Sequence, residues 1–318
     1  MDMVRIGTLG SARIATRALI EPARQVPDVT VAAVAGRDLP RAQAYALEHG
    51  IAASYGSYDE LLADPSIDAI YNPLPNSLHG AWTLQAITAG KHVLCEKPFA
   101  SNTAEATLVA EAAKASGLVV MEAMHYRYHP LIRRLRDTVA ALGPVRTLQC
   151  WTSFVIANPG DIRYDYALGG GALMDGGCYA IDCMRMLAGE PEVSGALADT
   201  EPGGLVDRAL AARLTFGGGA TGWFESAFTR TGGSRADLHV TCDGGTAYVD
   251  NFIAPHRATT ADHVDGGETA TWTSYVWQLR AFAEAIRTGA PVETSAENAV
   301  ATMRVIDDAY RAAGLPAR

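Results

Sequence analysis

The chain has three lysines against 23 arginines, and one of the three, Lys97, lies in the segment Cys95-Glu96-Lys97-Pro98. A lysine ammonium is a compact point charge that can donate to a substrate oxygen and stabilise developing alkoxide charge. Taken alone, a lysine in a proline turn reads first as a surface residue. The second candidate is Asp175-Gly176-Gly177-Cys178-Tyr179-Ala180-Ile181-Asp182, which follows Gly169-Gly170-Gly171. On an α-helix starting near Ala172, residues Asp175, Tyr179 and Asp182 fall at i, i+4 and i+7 and share a face. Two carboxylates and a phenol among Leu173, Met174, Ile181, Met184 and Leu187 resemble neither a core stripe nor a solvated face. They form either a buried structural network or a site in which Tyr179 is an acid or base. A phenol titrates near about 10, so that role needs a nearby cation, and Lys97 is the candidate.

A third cluster opens the chain. Val4 to Leu9 is a short apolar run ending in Gly10-Ser11-Ala12-Arg13-Ile14-Ala15. The fingerprint G-x-G-x-x-G/A maps onto Gly10, Ala12 and Ala15, and Ser11, Arg13 and Ile14 complete a turn whose N–H groups suit a pyrophosphate. With one glycine in three positions the motif is weak by itself, and an ordinary β-turn-helix is the alternative. Its place in the first strand–helix turn favours a dinucleotide. The second apolar run ends Val34-Ala35-Gly36-Arg37-Asp38, with Arg41 one turn on. A guanidinium there suits a ribose 2′-phosphate through charge-assisted bonds, so NADP is expected over NAD.

Elements of two kinds must position these residues. Through about residue 124, short apolar runs (Val29 to Ala35, Asp68 to Tyr71, His92 to Cys95, Leu118 to Met121) alternate with helical patterns (Ile14 to Val26, Leu39 to His49, Leu78 to Ala89, Thr103 to Ala115). That alternation predicts an α/β fold with a doubly wound, parallel Rossmann sheet over 1–124. Over 125–318 the runs lengthen and glycine turns separate them, predicting a C-terminal α/β domain with an open, mainly antiparallel sheet. Its strands are expected near Arg146 to Phe154, Leu210 to Phe216, Ala220 to Phe228 and Ala236 to Cys242. Its helices are expected at Leu131 to Ala141, Ala172 to Leu187, Val276 to Thr288 and Ala296 to Ala313. The first domain would bind the dinucleotide; the second would bind substrate and form the oligomer.

A net charge of −9, spread without a basic arm, speaks against nucleic acid or an anionic membrane as partner. No run reaches the length of a membrane span and no signal peptide pattern is present, so a cytoplasmic protein is expected. Five scattered cysteines without a CxxC pair predict neither a disulfide framework nor a zinc site. Arg133, Arg134 and Arg136 read as a solvated helix face. His256 and His263 fall in a polar stretch, 254–270, expected as a surface loop without a metal.

Together these residues resemble the glucose–fructose oxidoreductase/inositol dehydrogenase (Gfo/Idh/MocA) family along essentially the whole chain. Ala89-Gly90-Lys91-His92-Val93-Leu94-Cys95-Glu96-Lys97-Pro98 is similar to its AGKHVLxEKP segment. Pro73-Leu74-Pro75-Asn76-Ser77-Leu78-His79 is similar to its cofactor-contacting loop, and Glu122 to Pro130 to its EAxxxRxHP segment. The resemblance implies hydride transfer between a nicotinamide and a sugar, polyol or related group. It implies a cofactor bound along Leu74, Pro75, Asn76, His79, Glu96, Lys97, Tyr126 and Arg127, and an oligomer, here expected as a dimer, formed by the open sheet. Many members have His where Tyr179 stands; the tyrosine resembles a branch that commonly uses NADP. Lys97 carries over as the family's EKP lysine, and Lys97 with Tyr179 is expected to form the acid/base pair, with Asp175 beside them. Arg163, Asp175 and Asp182 would meet the substrate. Gly36, where NADP-using relatives often have Ser, removes one hydroxyl donor. A trans-dihydrodiol dehydrogenase and a non-catalytic NADP-binding sensor are the alternatives.

Overall fold

The computed structural model describes residues 3–200, 204–255, 261–262 and 272–318. His256 and His263, with much of the expected loop 254–270, lie outside them. The chain divides into two compact units.

The first unit comprises Met1–Ala100, Ala104–His125 and Tyr275–Ala299. Its sheet holds β1 (Val4–Leu9), β2 (Val29–Ala35), β3 (Ala53–Tyr55), β4 (Ala69–Asn72), β5 (His92–Cys95) and β6 (Val120–Glu122). All pair in parallel, in the order β3-β2-β1-β4-β5-β6. The strands are apolar and nearly fully buried because helices cover both faces. The order reverses between β1 and β4, and at such a reversal the crevice beyond the strands' carboxyl ends takes ligands. Gly10, the Pro73–Asn76 loop and Lys97 follow β1, β4 and β5 at that edge.

Two differences from expectation have local causes. The helix expected over Ile14 to Val26 is broken into α-helical turns, Arg13–Ala15 and Glu21–Ala23, around a π turn, Thr16–Ile20. Pro22 lacks an amide hydrogen and crowds the carbonyl four residues back, which interrupts a regular helix. The edge strand β3 and the helix Tyr58–Ala63 were not expected: both are short, and β3 is only half-buried, so neither leaves an apolar period in the sequence. Ser57 caps that helix through the Glu60 N–H at 3.2 Å.

The second unit comprises Ser101–Thr103, Tyr126–Ser274 and Val300–Arg318. It is built on β7 (Val145–Val155), β8 (Pro191–Thr200), β9 (Asp207–Phe216), β10 (Thr221–Thr229), β11 (Arg235–Cys242), β12 (Gly245–Val249) and β13 (Ala261–Asp262). The order is β13-β12-β11-β7-β10-β9-β8, antiparallel except for the parallel pair β7 and β10. One face buries Leu210, Leu214, Phe224, Leu238 and Val240, and the helix Cys178–Ala188 packs on it. The other face carries Trp151, Trp223, His239 and Tyr248 in a chain of ring contacts, with Arg235 over Trp151. Alternation of inward and outward residues makes both faces from the same strands. Among the described residues no helix is long and apolar enough to cross a membrane.

Candidate active site

In the first unit the dinucleotide turn is formed as its residue types require. Gly10 has φ +79, a left-handed value that strains any L side chain, and its N–H donates to Ala35 at the end of β2. Ala12 is the N-cap of Arg13–Ala15 and no side chain caps that end, leaving the Ser11 to Ile14 segment with unclaimed N–H groups. Beyond β2, the exposed Arg37 and Arg41 guanidiniums make no hydrogen bond or ion pair with any described residue. Asp38, the acid nearest the end of β2, accepts from the Arg41 N–H at 3.2 Å and caps the helix Leu39–His49. Its carboxylate is committed to that cap, while the two cations are uncommitted. This arrangement fits a phosphorylated ribose better than a ribose diol.

Asn76 and His79 follow β4. His79 is 1% exposed, with Nδ1 at 2.7 Å from the Pro98 carbonyl and Nε2 at 2.7 Å from the Leu74 carbonyl. A neutral ring carries a single N–H, so it donates to one of these two carbonyls while lying packed between the Leu74–Pro75 loop and the proline turn. Burial pulls its pKa from 6.5 down to about 4, so it is neutral at pH 7. The unfolded chain therefore takes up a proton that the folded one refuses between those values. Stability present above pH 6.5 is lost as pH falls through that window, by about 1.4 kcal/mol per unit where the difference is one full proton. His79→Gln is expected to flatten this slope. Urea unfolding at pH 7 and pH 5 checks it, and an equal slope in both proteins would count against the assignment.

Lys97 is half-buried in a turn held on every side. Glu96 donates its N–H to Asn72, Phe99 donates to Glu122 Oε1 at 2.9 Å, and Tyr71 donates to Glu96 Oε1 at 2.7 Å. Burial pushes the Glu96 carboxyl up, while the Tyr71 hydroxyl and the Lys97 charge oppose it. Tyr275 belongs to the same neighbourhood: burial raises its phenol to about 12, Glu96 adds to that, and Arg17 and Lys97 oppose it. Its ring lies 3.9 Å from that of His125.

In the second unit, Asp175 and Asp182 part company. Leu173–Gly177 is a π turn, with the Cys178 N–H reaching the Leu173 carbonyl, so α-helical spacing does not apply at Asp175. Asp175 Oδ2 accepts from Arg163 Nε at 2.9 Å, and Arg163 Nη1 also donates to Asp161 at 3.0 Å. Asp175 and Asp161 hold the guanidinium firmly charged. Asp182 is fully buried and accepts from the Tyr126 hydroxyl at 2.5 Å and from Arg127 Nη1 at 3.2 Å. Burial, with Asp182 beside it, pushes the Tyr126 phenol well up. Tyr179 is 4% exposed, its ring edge-on to Tyr126 at 5.9 Å. The second unit thus gathers Arg163 with Asp175, and Tyr126, Arg127 and Asp182 beside Tyr179.

Several neighbours left no signal in the sequence. The Tyr58 hydroxyl stands 3.7 Å from where a β-carbon at Gly10 would lie, and Trp82 meets its ring edge-on at 4.8 Å. Arg17 and Tyr275 adjoin Lys97 and Glu96, although Tyr275 lies far along the chain. No spacing rule connects such positions, because only the fold brings them together.

A doubly wound parallel sheet with a glycine turn at its reversal and a lysine after the neighbouring strand, followed in the chain by a unit built on an open sheet, is the architecture of a dinucleotide-binding protein with a second domain. The chain belongs to the Gfo/Idh/MocA oxidoreductase family: residues 4–124 match its NAD-binding Rossmann fold and residues 132–248 its C-terminal domain. It is 39% identical over 316 residues to D-xylose 1-dehydrogenase (NADP(+)) 2 of Haloferax volcanii, covering 96% of each chain. It is 38% identical over 204 residues to trans-1,2-dihydrobenzene-1,2-diol dehydrogenase of Sus scrofa, covering 63% of this chain and 60% of that one. Among solved structures it is similar to a 3-ketoreductase from Actinomadura kijaniata in complex with NADP and TDP-benzene, with a TM-score of 0.86, 26% identity and 98% of each chain covered.

Proposed function

We propose that the chain transfers a hydride between NADP(H) and a sugar or sugar-like alcohol or carbonyl, with Lys97 and Tyr179 as its acid/base pair. The observation that carries this reading is the placement of Lys97 at the carboxyl end of β5, one strand from the β1/β4 reversal. The NADP dependence of the Haloferax relative and the uncommitted Arg37 and Arg41 support the cofactor. NADP(H), when bound, supplies or accepts the hydride at its nicotinamide. Ser11 to Ile14 hold the pyrophosphate with main-chain N–H groups, Arg37 and Arg41 hold the 2′-phosphate, and the loop at Leu74–Asn76, packed against His79, holds the nicotinamide side.

In the oxidising direction Tyr179 takes the hydroxyl proton; in the reducing direction it gives one to the carbonyl oxygen. Lys97 stabilises the oxyanion and favours the ionised phenol, which a phenol needs in order to act near neutral pH. Arg163 and Asp175 take sugar hydroxyls as a donor–acceptor pair. Asp182 orients Tyr126 and Arg127 and does not reach the substrate itself, since its oxygens are already engaged.

The test is nicotinamide absorbance with NADP⁺ or NAD⁺ against aldoses, polyols and an aromatic trans-diol. Reduction of NADP⁺ with a sugar is the expected result. Turnover of the diol alone would favour the reading that the Sus scrofa relative suggests, and cofactor binding without any turnover would favour a sensor. The half-buried aromatic face of the second sheet, with Leu197 81% exposed on β8, fits a second copy of the chain as its cover. The same preparation is expected to sediment with the mass of two chains; the mass of one would refute the dimer.

A further inference from the structure

Gly171 has φ +140, and a β-carbon there would fall 2.2 Å from Asp207 Oδ1, 2.7 Å from the Tyr310 hydroxyl and 2.8 Å from Arg318 Nη2. The glycine turn before the Tyr179 helix is therefore pressed onto a polar cluster. Asp207 and Arg318 both have buried side chains, 0% and 1% exposed, and pair at 2.6 Å. Tyr310 donates to Asp207 Oδ1 at 2.8 Å, and the Arg318 guanidinium lies over the Tyr310 ring at 4.4 Å. Arg318 Nη2 also donates to the Tyr310 hydroxyl at 3.1 Å, and three further bonds run to main chain: Arg318 Nε donates to the Gly170 carbonyl at 2.8 Å and Nη1 to the Leu205 carbonyl at 2.7 Å, while Asp207 Oδ2 accepts the Leu173 N–H at 2.7 Å.

Gly170 and Leu173 bracket the segment that matters. The Gly171 N–H donates to the Arg163 carbonyl and the Asp175 N–H to the Gly171 carbonyl. Arg163 and Asp175 thus hang from the same short piece of main chain that Arg318 and Asp207 grip. Leu173 begins the π turn that leads into the helix bearing Tyr179. A buried ion pair is a poor source of net stability, because desolvation offsets much of its attraction. Its forked, multiply bonded form is suited to holding one loop geometry.

We propose that Arg318 and Asp207 are positioning residues: a buried clamp that sets the Arg163–Asp175 pair and the start of the Tyr179 helix to receive the substrate. This rests on the reading above that those residues meet the sugar. Neither clamp residue contacts the reacting atoms.

Arg318→Lys keeps the charge and loses the fork, so it is the variant most able to fold; Gly171→Ala strikes the same turn from the other side. Each is expected to raise the sugar KM at least fivefold, to leave the NADP⁺ dissociation constant within twofold of wild type, and to speed amide exchange in peptides spanning 163–177. Restoring sugar KM in Arg318→Gly with millimolar guanidinium would follow from the same geometry. Unchanged sugar KM with unchanged exchange would overturn the clamp. So would sugar and NADP⁺ affinity falling together with the melting temperature, which is what a purely structural role gives. A wild-type chain silent on every sugar sinks the functional reading instead, and the exchange experiment still decides the clamp.

Discussion

Lys97→Met is expected to lower turnover by roughly 10²- to 10⁴-fold, the usual range for loss of a positioned proton-transfer group or its electrostatic partner. Tyr179→Phe is expected to fall in the same range. Methionine keeps the length of the lysine stem and removes only the ammonium; phenylalanine removes only the hydroxyl. The turn around position 97 is held by Glu96, Glu122 and Asn72, none of which relies on the lysine side chain in the bonds described above. The fold is therefore expected to persist in both variants, and NADP⁺ binding in Tyr179→Phe, which separates loss of chemistry from loss of fold. The double variant decides whether the two residues act as one unit. Residues sharing one proton transfer are strongly non-additive, so the double variant should be about as slow as the worse single one. Losses that simply multiply would mean that Lys97 and Tyr179 serve separate steps. Near-wild-type turnover in either single variant would remove that residue from the mechanism.

Arg37→Ala is expected to raise the NADP⁺ dissociation constant roughly 30- to 100-fold, about 2 to 3 kcal/mol, and to leave that of NAD⁺ within about twofold. The exposed guanidinium makes no hydrogen bond or ion pair with a described residue, so the change should act mainly on the ligand and little on stability. Titration calorimetry with 2′,5′-ADP and with 5′-AMP checks this without any sugar. The phosphorylated ligand should bind the wild-type chain more tightly, and added salt should weaken its binding, as an exposed ion pair requires. Equal binding of both ligands would place the 2′-phosphate elsewhere, and Gly36 would then be the residue that accounts for an indifferent cofactor site.

Much of the Rossmann unit was legible because its signals are local. Apolar strands buried on both faces write continuous runs, and Asp38 and Gly50 mark the ends of a helix by capping chemistry. β3, β8, β12 and β13, the last within the stretch 254–270 expected as a loop, were missed for the opposite reason. They are short, at or near a sheet edge, or interrupted by glycine, and such strands carry little periodicity. In the candidate site, Lys97 and Arg37 could be singled out by residue type and by their place after a strand. The i, i+4, i+7 argument for Asp175, Tyr179 and Asp182 presumed an α-helix throughout, and the π turn at Leu173–Gly177 breaks it.

By itself, then, the sequence determined the alternation of strands and helices, the glycine turn after β1, the arginine after β2 and the lysine after β5, because each depends on neighbours a few residues away. The tertiary structure alone decided that Tyr275–Ala299 packs with the first unit and that Tyr275 and Arg17 adjoin Lys97. It alone decided that Asp182 is spent on Tyr126 and Arg127 while Asp175 keeps Arg163, and that Arg318 reaches back to Asp207 beneath Gly171. Those pairings are set by how whole elements bury their apolar faces, which brings together polar groups far apart in the chain. Once buried, such groups must find partners, and only the packed fold determines which partners are within reach.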